Sequence, residues 1–174
     1  VPKILTTTRL LIRTIESDDL SFLHRIYSDA DCMLYYPTLK NSEETKDWFR
    51  RLSFESYAEN GFGLWAVVDK DTLEVLGDCG LTMQPTPYGL EPEIGYHLWK
   101  QHWGKGIASE AAAACRDYAL QGLKMRRVVS IVSPENVPSQ RVAERVHQRR
   151  EVFTKENRLT GLPVERYLYI SDGC

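Results

Sequence analysis

Residues 93–113 read EIGYHLWKQHWGKGIASEAAA, and the order of residue types within them decides the fold. Glu93 to Trp99 has the short, aromatic-rich character of a strand. Gly104-Lys105-Gly106 is a flexible loop, and Ile107 to Gly122 is Ala-rich and free of internal Gly and Pro, so it predicts a helix that stops at Gly122. A strand that runs through glycines into a helix aims unpaired N–H groups and the positive end of the helix dipole at one point, which suits an anion. The same glycines also read as a simple tight turn. Neither common nucleotide motif fits. A phosphate-binding loop would end in Gly-Lys-Ser/Thr, and a dinucleotide fold would place a third glycine where Ser109 stands.

Working outward, the β-branched run Val128–Val132 predicts a buried strand, and Ser139–Val146 a helix that Ser139, after Pro138, is suited to cap. Residues 150–155 and 165–170 predict a closing strand pair across the turn at 157–163. Upstream, 64–68, 75–84 and 93–99 form an antiparallel meander, broken at 69–72 and 85–89. Before it stand a strand at 9–15 and a helix with Leu20, Leu23, Ile26 and Tyr27 at helical spacing. A second helix opens at Ser42 and ends at Asn60-Gly61. The expected architecture is one α/β (α+β) domain over residues 1–174, with a mostly antiparallel sheet of about seven strands flanked by helices.

Composition bounds the possibilities. A chain of 174 residues, 43% hydrophobic and 26% charged, supports one core. Mean hydropathy is −0.37, and no apolar run approaches the roughly 20 residues that cross a bilayer, so no membrane partner is expected. Cys32, Cys79, Cys115 and Cys174 are scattered without metal-ligand spacing, which points to no metal and a reducing cytoplasm. A net charge of −2 argues against nucleic acid as the main partner. That average hides an asymmetry: residues 1–99 hold 9 Lys+Arg against 16 Asp+Glu, and the remainder 13 against 8. The split reads either as solvated faces or as an anionic ligand on the C-terminal half with a cationic one facing the N-terminal half.

With these elements in place, the chain resembles the GNAT superfamily of acyl-coenzyme A dependent N-acetyltransferases, in the form typical of its RimJ/RimL-type ribosomal-protein group. Gln101, Gly104 and Gly106 match the family's pyrophosphate signature Gln/Arg-x-x-Gly-x-Gly/Ala; RLLIRTIESDDLSFL, EIGYHLW and NVPSQRVAERV are similar to its first strand and helix, its fourth strand and its Asn-x-x-Ser helix. The resemblance implies a V-shaped split between the fourth and fifth strands that takes acetyl-CoA as co-substrate. Backbone groups of Leu98 and Trp99 would meet the acetyl-pantetheine arm. Amides from Gln101 through His102, Trp103, Gly104, Lys105 and Gly106 to Ile107 would hold the pyrophosphate. Trp103 also reads as a core aromatic, and Lys105 and Arg141 as cations toward the phosphates.

Amine acetylation needs a deprotonated nitrogen, a donor for the developing oxyanion and a proton for the departing thiolate. The resemblance implies Glu93 as the base; strand alternation, not the resemblance, adds His97 on the same face as the second candidate, and the Leu98 amide would meet the oxyanion. The match to Asn-x-x-Ser implies that Asn136 would hold the pantetheine arm and that Ser139 would lie near the sulfur and protonate the thiolate. The family's usual Lys-Leu-Gly-Phe is replaced by Arg145-Val146-His147-Gln148, which puts His147 where a left-handed helix end is expected. The implied partner is a small-molecule or peptide amine, and the chain a monomer or homodimer. The competing reading is a degenerate relative that binds coenzyme A as a sensor or assembly module.

Overall fold

The computed structural model describes residues 2–174. Strands β1 (Lys3–Thr6) and β2 (Leu10–Thr14) form an antiparallel pair, after which a 3-10 turn leads into α1 (Leu20–Tyr27). Arg13 clamps the turn, donating to both oxygens of Asp19 at 2.7 and 2.9 Å. Helix α2 (Ser42–Phe49) opens at Ser42, as the sequence suggested, and Asn41 caps it. Asn41 accepts from the Glu44 amide at 2.9 Å while the Glu44 carboxylate accepts from the Asn41 amide at 3.1 Å. The helix widens into a π-helical turn at Arg50–Glu55, resumes as α3 (Ser56–Asn60) and ends at Gly61, whose φ of +76° needs glycine.

Three strands follow, β3 (Leu64–Asp69), β4 (Val75–Thr86) and β5 (Gly89–Leu98). The hairpin β4–β5 is longer than expected: the register runs unbroken from Gly77↔Leu98 to Thr86↔Gly89, so Pro85 and Pro92 lie within strands. Helix α4 (Ile107–Asp117) continues as a π-helical turn to Gly122. Then come β6 (Arg127–Val132), α5 (Val137–Val146), β7 (Arg149–Glu156) and β8 (Pro163–Asp172).

The sheet has eight strands in the order β1-β2-β3-β4-β5-β6-β8-β7, one more than the seven expected, because four-residue β1 is too short to show a period. Its neighbours are antiparallel except β5 and β6, which run parallel. The continuous apolar run of β3 is explained by two cores. Trp65 and Val67 pack with Ile94, Leu98 and the Ala-rich face of α4, whereas Leu64, Ala66 and Val68 pack with Leu23, Tyr27 and Phe49 of α1 and α2. The β5 alternation follows: Ile94, Tyr96 and Leu98 join the α4 side, and His97 meets Tyr27 on the α1 side. Among the described residues no helix is long and apolar enough to cross a membrane.

Candidate active site

Strands β5 and β6 share one register pair, Glu93↔Val129. Two side chains reinforce that vertex: Ser130 Oγ donates to the Ile94 carbonyl at 3.2 Å, and the Ile131 amide donates to Glu93 Oε2 at 2.7 Å. Toward Leu98 the strands part, and a cavity of about 570 Å³ lies there. It reaches both faces of the sheet. Leu98, Gly104, Gly106, Asn136 and Ser139 line one part, and Tyr36 and His97 the other.

The loop between β5 and α4 is shaped by its glycines. Gly104 and Gly106 have φ of +72° and +75°, and an added Cβ on Gly104 would meet no atom within 4 Å, so backbone conformation rather than space selects glycine there. Gly106 caps α4, and the helix closes on itself only at Glu110, whose amide lies 3.1 Å from the Gly106 carbonyl. The amides of Ile107, Ala108 and Ser109 thus belong to a first turn without intrahelical acceptors. Arg9 and Glu110 brace this loop, which no motif signalled. Arg9 donates to Glu110 Oε1 and to the Lys105 carbonyl, each at 2.8 Å.

The remaining predicted loop residues divide. His102, Trp103 and Ile107 line the cavity; Gln101 is exposed and, with Lys105, is not on the lining. Trp103 is no core aromatic: it is 48% exposed, and its indole N–H donates to the Leu98 carbonyl at 3.1 Å. Trp99 departs from the expected role, since its amide donates to the Leu76 carbonyl at 2.9 Å and its ring packs under Arg25 at 4.8 Å. Burial and Lys105 both hold the His102 imidazole below its ordinary range.

On α5, Asn136 rather than Ser139 is the cap. The helix starts at Val137, two residues before the expected start, and Asn136 Oδ1 accepts from the Ser139 amide at 3.1 Å. The Ser139 carbonyl accepts from Tyr96 Oη at 3.1 Å, which ties α5 to β5 across the split. Arg141 and Arg145, one helical turn apart, carry positive charge along the same cavity. His147 does not adopt a left-handed conformation; its φ of −102° and ψ of 160° are extended. Its ring nitrogens lie 2.9 Å from both Ser171 Oγ and Ser130 Oγ, and burial holds its pKa down to about 4. A helix end needs no glycine when the chain leaves straight into a strand.

On the other face, Glu93 sits at the vertex and is not on the cavity lining; burial pushes its carboxyl up to about 7 against the Ile131 amide, which pulls it down. His97 stands at the open end, on the lining. Asp29 and Asp31, the acids beside the mouth, are paired with Lys100 at 2.8 and 3.0 Å. The expected attraction of a cationic ligand to the acidic half is therefore partly spent at this edge. Among the described residues no three His, Cys, Asp or Glu side chains converge as a metal site.

A mixed sheet splayed between two parallel strands, with a glycine loop at one lip and a helix cap at the other, defines an acyl-transferase type of scaffold. The family model of the acetyltransferase (GNAT) domain matches residues 9–149, and the chain belongs to that family of N-acetyltransferases. It is 37% identical to the Bacillus subtilis protein YkkB, over 82% of this chain and 83% of the relative. It is 30% identical to the uncharacterized N-acetyltransferase p20 of Bacillus licheniformis, over 95% and 93%. A GNAT-family acetyltransferase from Bacillus anthracis superposes with a TM-score of 0.81 at 27% identity, covering 97% of each chain. The fold is also that of RimL, a ribosomal L7/L12 protein acetyltransferase solved with coenzyme A, at a TM-score of 0.78, 20% identity and coverage of 99% and 98%.

Proposed function

We propose that the chain moves an acetyl group from acetyl-CoA to a primary amine of a small molecule or peptide, by direct attack in a ternary complex. The observation that carries this reading is the cavity itself, which brings the glycine loop and the head of α5 together with His97 through one opening of the sheet. The residues present fit the donor. First-turn amides after Gly106 suit its pyrophosphate, Arg141 and Arg145 suit its remaining charge, and Asn136 and Leu98 lie where a pantetheine arm would thread. The coenzyme supplies an activated acyl thioester.

The chain's own residues then manage protons. As the N–C bond forms and the C–S bond breaks, the amine gives up a proton toward the β5 face that carries His97 and Glu93. The Leu98 amide stabilises the carbonyl oxygen, and Ser139 supplies a proton to sulfur. The proposed setting is cytoplasmic, as a monomer or homodimer. The test is release of free thiol from acetyl-CoA across a panel of primary amines: N-terminal peptides, polyamines, aminoglycosides and amino acids. At least one should drive thiol release with matching acetylated product. Coenzyme binding without amine-dependent release by any of them would overturn catalysis in favour of a sensor.

A further inference from the structure

Behind the cavity, three side chains from three elements form one hydrogen-bonded chain. Asp78 on β4 is fully buried and lies opposite His97 in the β4–β5 register. Tyr27, at the end of α1 and 1% exposed, places its hydroxyl 3.1 and 3.3 Å from the two Asp78 oxygens and 2.9 Å from His97 Nδ1. Asp78 Oδ1 itself is 3.6 Å from Nδ1.

Counting protons assigns the tautomer. A phenol has one O–H, and a buried carboxylate whose side-chain donor among the described residues is Tyr27 takes it, because an unpaired buried charge costs more than an unpaired ring nitrogen. The Tyr27 oxygen then accepts from the imidazole, so His97 carries its proton on Nδ1 and presents a bare lone pair on Nε2. Burial and the Asp78 charge hold Tyr27 well above the ordinary phenol range, so it remains a donor. Nε2 is buried and has no hydrogen-bond partner among the described residues, although His97 lines the cavity. An orphaned buried acceptor is destabilising, and a ligand N–H can relieve it.

We propose that His97 Nε2 takes the proton of the acceptor amine, and that Asp78, acting through Tyr27, is a positioning residue that fixes the imidazole tautomer and steadies the imidazolium. This rests on the acetyltransferase reading above. The amine N–H bond breaks as Nε2–H forms, the electron pair of the C–S bond leaves on sulfur, and the imidazolium returns its proton to solvent after product departs. Glu93, four residues back on the same strand face, is about 13 Å along the strand from this point and already holds the Ile131 amide. The titratable groups facing His97 are Asp78 from β4, Tyr27 from α1 and Tyr36 from the α1–α2 connection, whose ring centroid lies 4.9 Å away. Cys32 lines the same cavity, with a thiol that burial pushes up to about 11.

Long-range proton–nitrogen NMR of the full chain with bound coenzyme A reads the tautomer directly. The Nδ1–H form is expected, and Asp78→Asn, which removes the carboxylate that holds the Tyr27 proton, should shift the balance toward the Nε2–H form. The Nε2–H form in the wild type, or an unmoved tautomer balance in a folded Asp78→Asn protein, overturns the positioning role. If Asp78→Asn does not fold, the wild-type tautomer decides. On the best amine of the panel, His97→Gln should lose about 10²- to 10⁴-fold in kcat with the KM for acetyl-CoA little changed. Full activity of His97→Gln overturns the base assignment. Absent turnover by the wild type, with the Nδ1–H form present, strikes instead at the acetyltransferase reading and removes the base role with it.

Discussion

Replacing Gly104 with valine isolates the contribution of one backbone conformation to coenzyme binding. The residue sits at φ +72°, and a Cβ added there would meet nothing within 4 Å, so the substitution adds strain and no collision. An L-residue in the left-handed region costs about 1–2 kcal/mol, with a β-branched one at the upper end. That cost has two possible destinations. If the loop keeps its shape, stability falls by the full amount, which for a chain of this size lowers Tm by about 2–4 °C per kcal/mol. If the exposed loop relaxes instead, stability is kept and the amides that follow it lose their common aim. Gly104 is exposed, so relaxation is the cheaper path. Coenzyme A affinity should then weaken by about 5- to 30-fold at 1.4 kcal/mol per decade, with Tm little changed. Titration calorimetry with coenzyme A and a thermal melt separate the two. Gly104→Asn is the control, since asparagine tolerates the left-handed region and should recover most of the affinity. Unchanged affinity in a folded Gly104→Val protein would refute the loop as the pyrophosphate site.

Glu93 has its carboxyl pushed up to about 7 from 4.5, so the native state holds a proton that the unfolded chain has released, and stability falls as pH rises through that window. Denaturant titrations across it should show Glu93→Gln flattening the fall, and an unchanged slope would reject the assigned cause. His147 works in the opposite sense: with its pKa lowered from 6.5 to about 4, its stabilisation is present above the first value and is lost as pH falls toward the second. His147→Ala, which leaves Ser171 Oγ without its partner while Ser130 keeps its bond to the Ile94 carbonyl, should cost about 1–3 kcal/mol by urea melts, whereas unchanged stability would reject His147 as the partner that Ser171 needs.

Much of this protein is legible in one dimension because the deciding signals are local. The strand–glycine–helix run of residues 93–122, the stop at Asn60-Gly61 and the apolar faces of α1 and α4 depend on the chain's own φ preferences and periodicity, and the structure places each within a few residues of the reading. Errors gathered where a local signal had two equivalent answers: Ser139 and Asn136 are both capping residues, and Trp103 is an aromatic that the fold leaves half outside. Other features belong to tertiary structure alone. Asp78 is one acid within a buried strand, Tyr27 one apolar position of a helix, and Arg9 the first residue of a strand signal; only the sheet order and the β4–β5 register bring the first two to His97 and set the third against Glu110. The same holds for the proton carriers on β5. Alternation puts Glu93 and His97 on one face, but which of them meets the cavity is decided by where β6 leaves β5, and a parallel strand contributed from well downstream, beyond α4, leaves no mark on the local pattern.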